Sequence, residues 1–237
     1  MHTANEITNQ ASQPLYLKGE FFKGLPADAL TDFERLLAPS AYSVGMAIFS
    51  ETQHCAGIYV VIEGEVKLSI NSVDGRRLSF RIAKAGEVLG LSSAISGGAY
   101  EMTADTLYPA KIAHIARPAF LEFLSRHSSA YQVVAREMAR TYNTACEQLR
   151  MVGLSTSVPE RLARLLLGWS DASDQKPERP VRCRLSLTHE EIGEFIGTSR
   201  ETVTRTLTSF KNRHLVSQNG SMLTIPSRVA LESYAHV

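Results

Sequence analysis

Residues 186–216 read SLTHEEIGEFIGTSRETVTRTLTSFKNRHLV, and the punctuation of this stretch decides the fold. Thr188 followed by Glu191 is a capping box, in which hydroxyl and carboxylate satisfy each other's exposed backbone N–H groups. It opens a short helix, HEEIGEFI, that Gly197 ends. Thr198 followed by Glu201 repeats the pattern and opens a second helix reaching Asn212. Two short helices across a tight glycine-containing turn form a helix-turn-helix.

The second helix has two unlike faces. Placed at about 100° per residue from Arg200, Val203, Leu207 and Phe210 fall between roughly 280° and 340° and form a buried stripe. Arg200, Lys211, Thr204, Thr208, Glu201 and Arg205 fall between roughly 0° and 140°, with Ser199 at the helix start and Thr202 on the flank. That face suits a major groove. Arginine donates twice to guanine, glutamate accepts from cytosine, and a threonine methyl touches thymine. The expected DNA-binding set is therefore Ser199, Arg200, Glu201, Thr202, Thr204, Arg205 and Lys211. Glu201 also has a structural role open to it, as the capping partner of Thr198.

Downstream, LVSQNGSMLTIP (215–226) carries Asn219-Gly220 between two short apolar–polar runs. It reads as a type I′ hairpin, a wing beside the helices. Between Ser199 and Arg228 the cations are Arg200, Arg205, Lys211, Arg213 and Arg228, against Glu201 alone. The formal net charge is only +1, so any attraction for phosphate is local.

Upstream, Ser157 to Glu160 is a further capping box opening a helix to Trp169, DASDQKPERP (171–180) breaks it, and Leu185–Leu187 reads as a short strand. From Pro118 the apolar period is helical. Tyr131, Val134, Met138, Thr141, Ala145, Leu149 and Val152 make a narrow stripe on a helix of roughly 25 residues, longer than the globular norm. The stripe packs either on its own barrel or, as the length favours, on a second copy of the chain. From Ser40 to Ile115, short runs rich in Val, Ile, Tyr and Phe alternate with glycines, and Asp74-Gly75 marks a hairpin. This is the pattern of an antiparallel jelly roll. Residues 25–37 have helical spacing behind an early proline.

The 237 residues, 44% hydrophobic and 21% charged, have an ordinary globular composition. No stretch approaches the roughly 18 apolar residues of a membrane span, and the first twenty residues read as a polar tail rather than a secretory leader. Cys55, Cys146 and Cys183 form no CxxC pair, so neither disulfide framework nor zinc site is expected and a cytoplasmic location is. His54 and His114 show no cupin-like spacing, and no phosphate-loop or nucleophile motif is present, so an enzyme is not expected.

These residues resemble the Crp/Fnr family of bacterial transcription regulators. IYVVIEGEVKL (58–68) and AGEVLG (85–90) look like its β-roll, and EEIGEFIGTSRETVTRTL (190–207) like its helix-turn-helix. The resemblance implies an α+β chain: a polar tail over residues 1–20, a sensor β-roll over 21–118, a dimerisation helix over 119–155 and a winged helix-turn-helix over 156–237. It implies double-stranded DNA as partner, a homodimer on a two-fold operator, RNA polymerase as a contact and a small-molecule effector. Arg200, Glu201 and Arg205 are similar to the subgroup reading TGTGA half-sites; the TTGAT subgroup lacks the first arginine.

At the effector the pattern departs from the family. Cyclic-AMP-binding members carry Gly-Glu-Leu and an Arg-Ser pair, the arginine neutralising the cyclic phosphate. Here the positions read Gly90-Leu91-Ser92 and Tyr100-Glu101, with no arginine between Gly86 and Ala116. The effector pocket is expected around Gly90, Leu91, Ser92, Tyr100, Glu101 and Cys146, without a standard cyclic-AMP site. Residues 1–54 hold no cysteine for an iron–sulfur centre. No cofactor or metal is expected, although His54-Cys55 leaves haem ligation open. The alternative function is a small-molecule or redox sensor acting through protein partners without DNA.

Overall fold

The computed structural model describes residues 14–154, 157–169, 180–185 and 187–235. Most of the expected N-terminal tail, and all of the 171–180 breaker except Pro180, lie outside the described residues. Contacts divide these residues into two units. One holds residues up to Leu68 together with Ile82–Thr141; the other holds Ser69–Arg81 and residues from Tyr142 onward.

The first unit opens with a 3-10 turn at Leu15–Lys18, then α1 (Glu20–Lys23) and α2 (Ala27–Leu36). Pro26 caps α2, its fixed φ suiting the helix start. The strands follow: β1 (Ala38–Tyr42), β2 (Ala47–Phe49), β3 (Gly57–Glu63), β4 (Glu65–Asn71), β5 (Arg77–Lys84), β6 (Val88–Leu89), then the short α3 (Leu91–Ser96), β7 (Thr103–Thr106) and β8 (Ala110–Ala116). They form two four-stranded sheets, ordered β1-β8-β3-β6 and β2-β7-β4-β5. The jelly roll expected from the glycine-punctuated runs is present. β3 (GIYVVIE) lies inside its sheet and is buried on both faces up to Ile62, which explains its unbroken apolar run. Phe21, Phe22, Phe33 and Phe123 close one side as an aromatic cluster with ring centroids 5.1 to 5.4 Å apart along the chain of contacts.

The helical segment after Pro118 is broken once. α4 (Arg117–Arg126) ends where His127 leaves helical geometry and its Nε2 lies 3.0 Å from Asp32 Oδ2, and α5 (Ala130–Leu154) begins three residues later. α5 has 25 residues, the length the stripe called for. Its buried residues are Ala130, Val133 and Val134. Beyond Met138 the stripe is only partly covered: Thr141 is exposed and Leu149 is 72% exposed, with its unforeseen neighbour Tyr142 70% exposed, while Ala145 and Val152 are half-buried.

The second unit continues with α6 (Val158–Trp169), β9 (Val181–Arg184), α7 (His189–Ile196), α8 (Arg200–Asn212), β10 (Ser217–Asn219), β11 (Met222–Ile225) and α9 (Arg228–Ala235). The short strand expected at Leu185–Leu187 instead occupies Val181–Arg184, paired with β11 from Ile225 to Met222. Its inward Val181 and outward Arg182 alternate as a strand should, but two arginines in four residues disguised the pattern. The wing turn also differs in detail. Asn219 pairs with Met222, so the loop is Gly220-Ser221, and only Gly220 has positive φ, as a type II′ turn needs and type I′ does not.

The tip of the β4–β5 hairpin, Ser69–Arg81, is part of this unit. The buried Ser79 donates its hydroxyl to Glu194 Oε2 at 2.8 Å, and Gln148 of α5 donates to both the Ser79 carbonyl (3.1 Å) and the Phe195 carbonyl (2.8 Å).

Candidate nucleic-acid interface

The turn between α7 and α8 fixes how the second helix is presented. Both halves of the Thr188–Glu191 capping box form, with Glu191 accepting from the Thr188 N–H at 2.8 Å. Gly197 closes α7 in the left-handed region (φ 62°), where only glycine is unstrained. The Thr198 N–H returns to the Gly193 carbonyl at 3.0 Å, and a Cβ on Gly193 would sit 2.6 Å from the Thr198 oxygen. Gly193 is therefore the residue that lets the two helices approach.

α8 starts one residue later than expected. Ser199 is the N-cap, its hydroxyl accepting from the Thr202 N–H at 3.3 Å. Thr198 is occupied as the second anchor of the turn. The capping role considered for Glu201 thus does not exist at Thr198. Instead its exposed carboxylate is held below the usual range, first by its own backbone N–H, then by Ser199, and further by Arg200 and Arg205. Glu201 is ionised at neutral pH and acts as an acceptor only.

The two faces of α8 are as its period requires. Val203, Thr206, Leu207 and Phe210 are buried, while Arg200, Glu201, Thr204, Arg205 and Lys211 are exposed, with Ser199 exposed at the start and Thr202 half-buried. Arg205 Nη2 donates to Thr202 Oγ1 at 3.1 Å, and Lys211 Nζ donates to Gln218 Oε1 of β10 at 2.8 Å, tying the helix to its wing. Two cations counted in the local patch have other partners: Arg213 lies over the Tyr234 ring at 5.6 Å, and Arg228 pairs with Glu232 at 2.8 Å. The patch narrows to Arg200, Arg205 and Lys211. Sequence reading gave no role to His189, whose Nδ1 is 2.8 Å from Thr204 Oγ1. Its position in the first turn of the first helix was the only signal available.

In the β-roll, Gly90 takes φ 80° and caps α3, with Leu91 buried and Ser92 exposed. Tyr100 is buried against Phe49, donating to the Gly57 carbonyl at 2.8 Å, and burial pushes its phenol well above the ordinary range. Its hydroxyl serves the wall of the roll. Glu101 accepts from the buried Ser93 at 2.7 Å, a partner the sequence reading missed although it lies in the same segment. A cation does come near from α4, but Arg117 Nε is bonded to the Ala94 carbonyl at 2.8 Å. Cys146 lies half-buried in the α5 portion of the second unit, whereas the other five expected pocket residues lie in the first. Among the described residues no cluster of three metal-ligating side chains is present, and no helix is long and apolar enough to cross a membrane.

Comparison with known proteins finds two separate matched regions. Residues 160–234 match a Crp-like helix-turn-helix domain and residues 40–127 a cyclic nucleotide-binding domain. The chain is 26% identical over 208 residues to a CRP-like cAMP-activated global transcriptional regulator of Mycobacterium tuberculosis, covering 86% of this chain and 91% of that one. It is 29% identical over 191 residues to the transcriptional activatory protein AadR of Rhodopseudomonas palustris, covering 81% and 78%. Among solved structures, FixK2 from Bradyrhizobium japonicum superposes with a TM-score of 0.72 at 19% identity, covering 84% of this chain and 96% of that one.

Proposed function

The chain belongs to the Crp/Fnr family of bacterial transcription regulators and is a DNA-binding regulator, and on that premise we propose that it acts as a homodimer on a two-fold operator with TGTGA-like half-sites. The observation that carries this reading is the exposed face of α8. Arg200, Glu201 and Arg205 are exposed near the end that Ser199 caps. Helix-turn-helix readers place that end deepest in the major groove. Arg200 and Arg205 would donate to guanine O6 and N7, and ionised Glu201 would accept from cytosine N4. Ser199, Thr202 and Lys211 would take the backbone, and Thr204 a thymine methyl.

The exposed part of the α5 stripe, Leu149 with its neighbour Tyr142, supports the second copy as its cover. Paired about such a seam, two α8 helices would meet successive major grooves about 34 Å apart. RNA polymerase is the further partner the family brings, no catalytic activity is proposed, and the cytoplasm is the proposed location. For the β-roll we propose a small-molecule effector other than a cyclic nucleotide bound in the usual way. By the family resemblance Glu101, which accepts from Ser93, would take the place of the cationic pair of cyclic-AMP-binding members, and a carboxylate there would repel a cyclic phosphate; no resident cofactor is proposed.

The test is fluorescence anisotropy with a labelled palindromic TGTGA…TCACA duplex against a scrambled one, from 50 to 300 mM salt. Specific binding that weakens with salt is expected. Equal affinity for both duplexes at every salt concentration would overturn the half-site assignment.

A further inference from the structure

The residue that the reading above leaves without a task is His189. It sits in the first turn of α7, yet its ring is hydrogen-bonded to the reading helix, Nδ1 lying 2.8 Å from Thr204 Oγ1. The direction of that bond follows from the rest of the network. Thr204 donates its hydroxyl proton to the Arg200 carbonyl at 3.0 Å, so its oxygen is left to accept, and Nδ1–H is the donor. Nε2 is then the nitrogen that gains or loses a proton.

The place matters as much as the bond. On α8, Arg200, Lys211 and Thr204 occupy neighbouring positions along the edge of the exposed face nearest the buried stripe. A helix with its side chains is about 10–12 Å across and fills a major groove about 12 Å wide. A ring bonded to the flank of such a helix therefore stands at the phosphate wall of the groove. We propose, resting on the reading of α8 as the DNA-reading helix, that His189 is a DNA contact. Nδ1–H fixes Thr204, and Nε2–H of the imidazolium donates to a backbone phosphate, so operator affinity rises on acidification.

The charges around the ring set the sign. From α8 it faces Arg200 and Lys211. On α7, Glu190 is its exposed neighbour, and Glu191 is committed to Thr188. α6 also packs on α7, but Arg161 donates to the Ile196 carbonyl at the far end and Arg164 pairs with Glu160. In the free protein, burial first and then the Lys211 and Arg200 charges hold His189 below its ordinary range. A phosphate at Nε2 reverses this: it attracts the imidazolium directly and offsets both neighbouring cations. DNA binding then takes up as much as one proton per subunit. A rise of one pKa unit corresponds to about tenfold in affinity per subunit.

The experiment is anisotropy with the palindromic duplex between pH 8.0 and 5.5 at constant ionic strength, on the wild type, His189→Gln and His189→Arg. Glutamine can still donate to Thr204 but does not titrate; arginine is charged throughout. The wild type is expected to tighten several-fold per subunit as pH falls. His189→Gln should keep the wild-type affinity of pH 8.0 and lose most of that gain, and His189→Arg should bind at pH 8.0 about as tightly as the wild type does at pH 5.5. Retention of the full pH response in His189→Gln, or a flat wild-type profile with specific binding intact, would overturn the assignment of His189 alone. Absence of specific binding at every pH would overturn the reading of α8, and His189 with it.

Discussion

Replacing Gly193 by alanine should destabilise the DNA-reading unit, although alanine is the better helix former. A Cβ at this position would lie 2.6 Å from the Thr198 carbonyl oxygen, whereas ordinary contact begins near 3.4 Å. The turn must therefore open by roughly 0.8 Å, against an oxygen whose own residue is tied back to Gly193 through the Thr198 N–H. Overpacking of this kind costs about 1–3 kcal/mol, and the gain in helix propensity returns up to ~1 kcal/mol. The obstructing atom is backbone and cannot swing aside, so the overpacking cost lies in the upper half of its range and the net loss is about 1–2 kcal/mol. With a urea m-value of ~2 kcal/mol/M, the midpoint should fall by about 0.5–1 M. Trp169, the single tryptophan, stands edge-on to Phe195 of α7 with ring centroids 5.9 Å apart, and its fluorescence reports on this unit. Gly168→Ala is the control. Nothing lies within 4 Å of a Cβ there, so the same chemical change should be neutral or stabilising by about 0.5 kcal/mol, followed by circular dichroism because residue 168 adjoins the fluorophore. If Gly193→Ala unfolds at or above the wild-type midpoint, the account of the turn is wrong.

Three further perturbations separate the roles assigned above. Glu201→Ala should shift half-site preference by about 1–3 kcal/mol at one base pair and lower the urea midpoint less than Ser199→Ala, which should cost about 1 kcal/mol of stability through the lost cap; an equal or larger stability loss in the first variant would return the cap to Glu201. Asp32 is held below the usual carboxylate range, chiefly by its bond to His127, so its stabilising contribution is present above the unfolded pKa and lost as pH falls through the lower, folded one. The thermal midpoint of wild type should therefore drop more steeply below about pH 4 than that of Asp32→Asn, and identical acid profiles would contradict this. Leu149→Arg places a charge in the exposed part of the α5 stripe; sedimentation should show a shift from dimer to monomer with unchanged helix content, and an unaffected dimer would move the interface elsewhere.

What could be read in advance followed from local chemistry. The helix-turn-helix was legible because caps, a terminating glycine and a three-to-four-residue apolar period all lie within thirty residues and agree. The jelly roll was legible because β-branched runs and glycines set strand and turn lengths. These misplacements have a common cause, in that each was decided by a partner on another element. Thr198 and Ser199 are both good caps, and only the return bond to Gly193 assigns the cap to Ser199. The Val181–Arg184 strand is defined by β11, some forty residues on. Arg213 and Arg228 looked like phosphate ligands until α9 supplied Tyr234 and Glu232. His189 was invisible for the same reason: its meaning depends on Thr204, a residue on another helix.

The contact of the β4–β5 hairpin with α7 has a consequence for modularity. The unit that carries the reading helix is assembled from two separate lengths of chain, Ser69–Arg81 and the segment from Tyr142. A fragment starting at residue 142 would lack the Ser79 hydroxyl that Glu194 accepts and the Ser79 carbonyl that Gln148 meets. No single cut frees this unit whole, and no single junction transplants it onto another sensor. A DNA-reading half moved onto another β-roll loses these bonds unless the new roll supplies a hairpin tip with a donor and an acceptor at the place of Ser79.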